Sequence, residues 1–276
     1  LSMKASNTII MMQAYRLLVH EMQKENMNYP IHLGVTEAGE GDDGRIKSAI
    51  GIGTLLLDGI GDTIRVSLTE SPEKEIPVAK KIIQYIEQKK NHQDIIPCQG
   101  NPINPFSYSR RITHPILNIG GDYPPVVVLD LSKAERITTS SLLSFGYRYS
   151  KSLDKWHISQ RACDYIFAGD NTLDFSIPGT LRVIYNHETW SVHKRGYPLI
   201  SVDKYLKGAS LSSTLNVVEL CLFDVSHELL QKLKTDSTVV LLFESGTINN
   251  SIEHRRLFIE LMNMQIYNPV FIKRGY

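Results

Sequence analysis

The feature that most constrains this chain is a repeated pairing of a short apolar run with a segment of helical period. Ile31–Thr36 and Thr63–Leu68 are about six residues long, the length of buried parallel strands rather than helices. Helical patterns follow them over Arg45–Leu57 and Val78–Gln88. Another precedes them, capped by Ser6 or Asn7, with Ile10, Ala14, Leu17 and Leu18 on its apolar face. Leu1–Ala5 reads as a further strand end. This β/α/β/α/β/α order implies parallel strands joined by right-handed crossovers. The Arg45–Leu57 helix is expected to bury Ile46, Ala49, Ile50, Gly53 and Leu57. Glycine inside a helix costs about 1 kcal/mol relative to alanine, so Gly51 and Gly53 point to close packing on the sheet.

The alternation stops at a proline-rich stretch, residues 91–125, which carries Pro97, Pro102, Pro105, Pro115, Pro124 and Pro125 and a Gly120-Gly121 pair. It reads as a linker between a first domain, residues 1–90, and a second, residues 126–276. In the second the alternation resumes. Strands are expected at Val126–Leu131, Tyr165–Ala168, Arg182–Tyr185, Leu199–Val202, Val217–Phe223, Val239–Phe243 and Val270–Ile272. Helices are expected at Ser140–Ser150, Asp203–Gly208, Ser226–Lys234 and Ser251–Tyr267. The fold class is α/β, with a second β/α domain that has the makings of a barrel.

The formal net charge of +1 gives no long-range field for nucleic acid or a membrane surface, and no apolar run approaches the roughly 20 residues of a membrane span. Cys98, Cys163 and Cys221 lie tens of residues apart, without the spacing of a metal or cluster motif, and read as thiols in a reducing compartment. The start on Leu1 suggests an excised segment.

In β/α barrels the C-terminal strand ends open on one mouth. Here three ends would deliver Lys4 and Ser6, then Thr36, Glu37 and Gly39, then Arg65 and Ser67. Two fixed cations and a hydroxyl suit an anionic phosphorylated ligand, arginine as a planar fork and lysine as a point charge. The structural alternative is that either cation pairs with Glu37 or another carboxylate. Glu37 itself can move a proton or serve in a salt bridge. The G-x-G of GIGTLLLDGIGD lies on a helix and its end, so it is no dinucleotide fingerprint. His187 and His193, around Trp190, read as strand or turn residues, and Arg110-Arg111 as a solvated or interface patch. Asn249-Asn250-Ser251 is formally a glycosylation triplet, which a thiol-bearing chain without a secretory signal discounts.

The stretches SMKAS (Ser2–Ser6), AYRLL (Ala14–Leu18), LGVTEAG (Leu33–Gly39), KSAIGIG (Lys47–Gly53) and DGIGDTIRVSL (Asp58–Leu68) resemble, in order, the end of the TIM-barrel domain of the 4-hydroxy-3-methylbut-2-enyl diphosphate synthase family. The resemblance is strong over about a third of the chain. It implies the C-terminal part of a (β/α)8 barrel, with Lys4, Ser6, Thr36, Arg65 and Ser67 as substrate-binding residues for 2-C-methyl-D-erythritol 2,4-cyclodiphosphate and Glu37 as the catalytic residue that assists loss of hydroxyl as water. It also implies a [4Fe–4S] cluster on a separate domain, and ferredoxin or flavodoxin as electron donor. The setting it implies is non-mevalonate isoprenoid synthesis in the cytoplasm or a plastid stroma; a homodimer is a further expectation. In the family's short form the helix after RVSL leads quickly into a C-P-x-C cluster motif. Here the linker and second domain follow, as in the long three-domain form, where the insert spaces and supports. This stretch alone is expected neither to catalyse nor to bind a cluster. The alternatives are a structural spacer without chemistry and a pteroate-synthase-like phosphate-binding barrel, against which the intact TEAG and RVSL motifs weigh.

Overall fold

A computed structural model of the chain describes residues 1–89, 95, 97, 98, 100–107, 109–244 and 250–273. It divides into two compact units at Arg110 and Arg111.

In the first unit, helix α1 (Thr8–Lys24) begins at Asn7, whose side chain accepts the N–H groups of Ile9 and Ile10 at 3.0 and 3.1 Å. It buries Met11, Tyr15 and Met22. Ile10 and Leu17, assigned to the buried face from periodicity, are instead 59% and 45% exposed. The helix is turned to seat the Tyr15 hydroxyl, which accepts the Met3 N–H (2.9 Å) and lies within donating reach of the Met3 and His32 carbonyls. Strand β1 (His32–Gly34), helix α2 (Gly41–Leu57), strand β2 (Thr63–Arg65) and helix α3 (Glu75–Glu87) follow, with β1 and β2 parallel.

Helix α2 meets the core through Gly44, Ser48, Gly51, Ile52 and Leu55, one face at helical spacing. A Cβ on Gly51 would lie 2.6 Å from Val35 Cγ2, so the expected close approach is real there, whereas one on Gly53 would meet nothing. Ile46, Ala49 and Ile50, expected inside, are exposed. The small residues decide the orientation, because only that face lets the helix come this near the strand. Arg45 then grips Glu70 through both oxygens (2.5 and 2.8 Å), and Glu70 also accepts the Gly41 N–H at 3.2 Å. The loops that follow β1 and β2 are tied together there. The Arg45 guanidinium holds the Glu70 carboxyl below its ordinary pKa of 4.5.

The second unit comprises β3 (Val128–Asp130), a hairpin of β4 (Tyr147–Ser150) and β5 (Lys155–Ile158), β6 (Tyr165–Gly169), β7 (Arg182–Asn186), helix α4 (His187–His193), β8 (Tyr197–Ser201), α5 (Val202–Leu206), β9 (Asn216–Leu220), α6 (His227–Thr235), β10 (Val239–Phe243), α7 (Asn250–Asn263) and β11 (Val270–Ile272). Seven strands form one parallel sheet in the order β11-β10-β9-β8-β7-β6-β3. The order never reverses, so there is no switch point of a doubly wound sheet; this is the winding of a barrel wall. One face packs Ile200, Val218, Leu241 and Phe243 under Leu229, Leu233, Leu257 and Leu261 from the helices. The opposite face carries Tyr165, Ile184, Val217 and Val240 and is covered by Ile116 and Ile119.

Those two isoleucines belong to the proline-rich stretch, and their backbones bond each other at 2.8 and 2.9 Å in a closed turn. Residues 111–125 thus lie within the second unit. Arg111, read from the sequence as part of a solvated or interface patch, donates to the carbonyls of Ile266 (2.5 Å) and Asn268 (3.0 Å), and burial pulls its pKa down to about 10. The expected helix Ser140–Ser150 is also corrected. A 3-10 helix over Thr139–Phe145 ends at Gly146, whose φ of 92° reverses the chain into β4, where Tyr147 and Tyr149 alternate against Trp156 of β5. His187 and His193 bound helix α4 rather than lying on a strand or turn. The His187 ring bonds the Ser210 carbonyl (2.9 Å), and His193 meets the Tyr185 ring edge-on. The triplet Asn249-Asn250-Ser251 begins outside the described residues.

Two consequences are measurable. Arg111→Met strips donors from two carbonyls and should lower the stability of the second unit by about 2 kcal/mol in denaturant titrations, with little effect on the first. Because Glu70 titrates below its unfolded value, its contribution is full above pH 4.5 and is lost as pH falls through the folded value. Glu70→Gln should flatten the fall of stability with acid in that window; an unchanged slope would show that the pair does not contribute.

Candidate functional site

The site is set by register. Gly34 pairs with Arg65 across β1 and β2. The N–H groups of His32 and Thr36 bond the carbonyls of Leu1 (2.8 Å) and Ala5 (3.1 Å), so Leu1–Ala5 runs alongside β1. In the slanted bonds of a parallel ladder a carbonyl reaches the N–H one residue past its neighbour, which sets Ala5 beside Val35 and Lys4 beside Gly34. Lys4, Gly34 and Arg65 therefore form one row across three chain segments. Two residues on, the same count brings Ser6, Thr36 and Ser67 level. Leu33, Val35, Val66 and Leu68 alternate with these rows and are buried against the helices, so the rows occupy the opposite face. His32 and Thr63, one row below, bond each other on that face at 2.8 Å.

The middle of the cationic row is a glycine. Its missing side chain leaves open the space between a lysine and an arginine, and a Cβ there would sit 3.2 Å from the Arg65 carbonyl oxygen. Among the described residues no carboxylate pairs with Lys4 or Arg65, which are exposed. Two unpaired cations flanking a gap, with three hydroxyls in the next row, can hold an anion by charge-assisted hydrogen bonds. Glu37 stands one residue beyond the hydroxyl row, exposed, with a φ of 51°. A left-handed backbone at a residue other than glycine costs on the order of 1 kcal/mol, and Glu37 shares it with five other non-glycine residues among those described. The turn is braced from behind: a Cβ on Gly44 would lie 2.5 Å from the Gly39 carbonyl oxygen, which also accepts the Thr69 N–H.

Of the residues singled out by sequence, Lys4 and Arg65 thus share a row of the first unit, Ser6, Thr36 and Ser67 follow two residues on, Glu37 stands in the turn just beyond, and Gly39 lies outside the rows. Gly34 was visible as part of LGVTEAG but carried no role; a glycine inside an apolar run marks a close approach of backbone or ligand, and that signal was available.

The three cysteines do not fit an iron–sulfur cluster. Cys98 lies in the first unit and Cys163 and Cys221 in the second. Burial pushes the thiols of Cys163 and Cys221 up, against the thiolate that iron requires. Among the described residues no group of three or more histidine, cysteine or acidic side chains could hold a metal ion, and no helix is long and apolar enough to cross a membrane.

Residues 1–80 match the family model described as the GcpE TIM-barrel domain. Proteins named 4-hydroxy-3-methylbut-2-en-1-yl diphosphate synthase (flavodoxin) from Parabacteroides distasonis and Phocaeicola vulgatus are 38% and 39% identical over the whole of this chain, which covers 42% of each. A synthase named for ferredoxin, from Prochlorococcus marinus, is 62% identical over 98 residues, 36% of this chain and 24% of its own. The chain spans about two-fifths of the length of the flavodoxin-named relatives, and its match to them runs through the second unit as well as the first. Residues 1–80 thus match a GcpE TIM-barrel domain, and over its whole length the chain is similar to part of the synthase-named relatives.

Proposed function

We propose that the first unit forms one wall of the substrate site of a 4-hydroxy-3-methylbut-2-enyl diphosphate synthase. The observation that carries the reading is the Lys4–Gly34–Arg65 row: two cations, without a carboxylate partner among the described residues, either side of an absent side chain, on the face away from the helices. The ligand is 2-C-methyl-D-erythritol 2,4-cyclodiphosphate. Its phosphate oxygens lie between the Lys4 ammonium and the Arg65 fork, and the Ser6, Thr36 and Ser67 hydroxyls donate to them from the next row.

The overall reaction takes up two electrons and two protons, opens the ring at a C–O bond to phosphate and releases one hydroxyl as water. Glu37 is the proton donor to that departing hydroxyl, held over the hydroxyl row by its left-handed turn. Electrons come from flavodoxin or ferredoxin, the donors in the relatives' names. Among the described residues, none of the side chains present fits a cluster. The compartment that goes with this reading is the cytoplasm or a plastid stroma.

The test is steady-state kinetics on the full-length enzyme that carries this chain. Arg65→Met should raise KM about 10- to 100-fold, the worth of a charged hydrogen bond to phosphate, with a smaller effect on kcat. Glu37→Gln should do the reverse, lowering kcat by about 100-fold or more at nearly unchanged KM. Gly34→Val fills the gap between the cations, its Cβ also pressing on the Arg65 carbonyl, and should raise KM at least as far as Arg65→Met, with circular dichroism and the thermal midpoint checking that the protein is folded. Normal turnover in Glu37→Gln would remove that carboxylate from the chemistry, and an unchanged KM in both Arg65→Met and Gly34→Val would remove the row from substrate binding.

A further inference from the structure

The second unit holds a cavity of its own, about 540 Å³, at the C-terminal ends of the sheet strands. Its walls change character along the strands. Deep in the sheet the face away from the helices is apolar, with Tyr165, Ile184, Val217 and Val240. Higher up, the lining includes Phe167 and Leu199, and then turns polar with Asp170, Asn171, Asn186, Glu219 and Lys273. Glu219 is the informative residue. It sits inside β9, a strand otherwise made of buried residues, and it faces this cavity with a side chain only 35% exposed. A spacer that needed only a packed wall would carry an aliphatic residue there.

The polar groups are arranged for mixed donation and acceptance. Lys273 lies 3.1 Å from Glu244 and 3.5 Å from Glu219; burial pulls its pKa down, but the two carboxylates together outweigh that and raise it overall. The Asp170 carboxylate accepts the Thr189 hydroxyl at 2.7 Å, and the Asn171 amide donates to the Ala134 carbonyl at 3.1 Å, so both side chains are fixed in orientation. The sheet register slips between Phe167 and Gly169, a bulge at the cavity wall, and bulges of this kind re-aim side chains next to sites.

We propose that this mouth binds a small neutral polyhydroxylated molecule, its hydroxyls donating to Glu219 and Asp170 and accepting from Lys273, with its carbon face on Phe167. The charge balance selects this class. Among the described residues a phosphate would meet one cation already shared by two carboxylates, and an organic cation would meet the Lys273 ammonium where the carboxylates converge. A polyol uses donors and acceptors together, and the volume falls within the ordinary range for small-molecule sites. The site is separate from the Lys4–Arg65 row and does not depend on its role.

The experiment is saturation-transfer NMR and calorimetry on the 276-residue chain with erythritol, D-ribose and D-glucose, and with inorganic phosphate and putrescine as comparison probes. At least one neutral probe should bind saturably at millimolar or tighter affinity, with phosphate and putrescine failing to compete. Glu219→Gln and Lys273→Met should each weaken it tenfold or more, while Glu37→Gln leaves it unchanged. Far-UV circular dichroism and the thermal midpoint of each variant guard against loss of fold. Failure of all three neutral probes would overturn the proposal, as would competition by phosphate or putrescine, or equal binding by folded Glu219→Gln and Lys273→Met proteins.

Discussion

The Tyr15 hydroxyl is the contact on which the first unit depends. Leu1–Ala5 forms no strand by itself. It is held beside β1 because a buried phenol on α1 reaches the Met3 backbone and the His32 carbonyl at once. With the segment fixed, the Ala5–Thr36 bond sets its register, and the register puts Lys4 level with Gly34 and Arg65. A slip of one residue would turn Lys4 toward the helices and present Ala5 in its place. The orientation of α1, the packing of α2 on small residues and the alignment of the two cations follow from one another.

Much of this was readable beforehand, and the reason is local. Short apolar runs flanked by glycine and polar residues identify Ile31–Thr36 and Thr63–Leu68 as strands whatever lies around them, and the two-residue period then assigns Thr36, Arg65 and Ser67 to one face. Helix faces were less legible. In α1 and α2 aliphatic residues occur on several sides, and the choice among them was made by Tyr15 and Gly51, through a hydrogen bond and a steric gap that hydrophobicity does not encode. Arg111 was misjudged for a related reason. A charged pair in a proline-rich stretch looks solvated, and the Ile266 and Asn268 carbonyls that draw one of the two inward lie some 155 residues away in sequence. The β4–β5 hairpin was missed because Tyr147, Tyr149 and Trp156 suit a strand and a short helix equally well, until Gly146 breaks the helix.

The two units solve the same problem differently. In each, parallel strands turn one face to helices and leave the other away from them. In the first unit that other face carries Lys4 and Arg65 around a missing side chain, without a carboxylate partner among the described residues. In the second, the lower part of the face is plugged by Ile116 and Ile119, and the upper part is polar but nearly balanced in charge, with Lys273 held between carboxylates. The contrast lies in charge pairing rather than in fold. Similar strand ends can present an electrostatic trap or a hydrogen-bonding cup, depending on whether the cations are partnered.

The unbroken strand order of the larger sheet also bears on how the chain acquires its shape. Every strand after β6 pairs with the sheet strand made just before it, so each addition closes a loop of modest length and never waits for a distant partner. Assembly can keep pace with synthesis, each newly emerged strand docking on a template already in place. The hairpin interposed between β3 and β6 lies off the sheet, and it interrupts this progression only once.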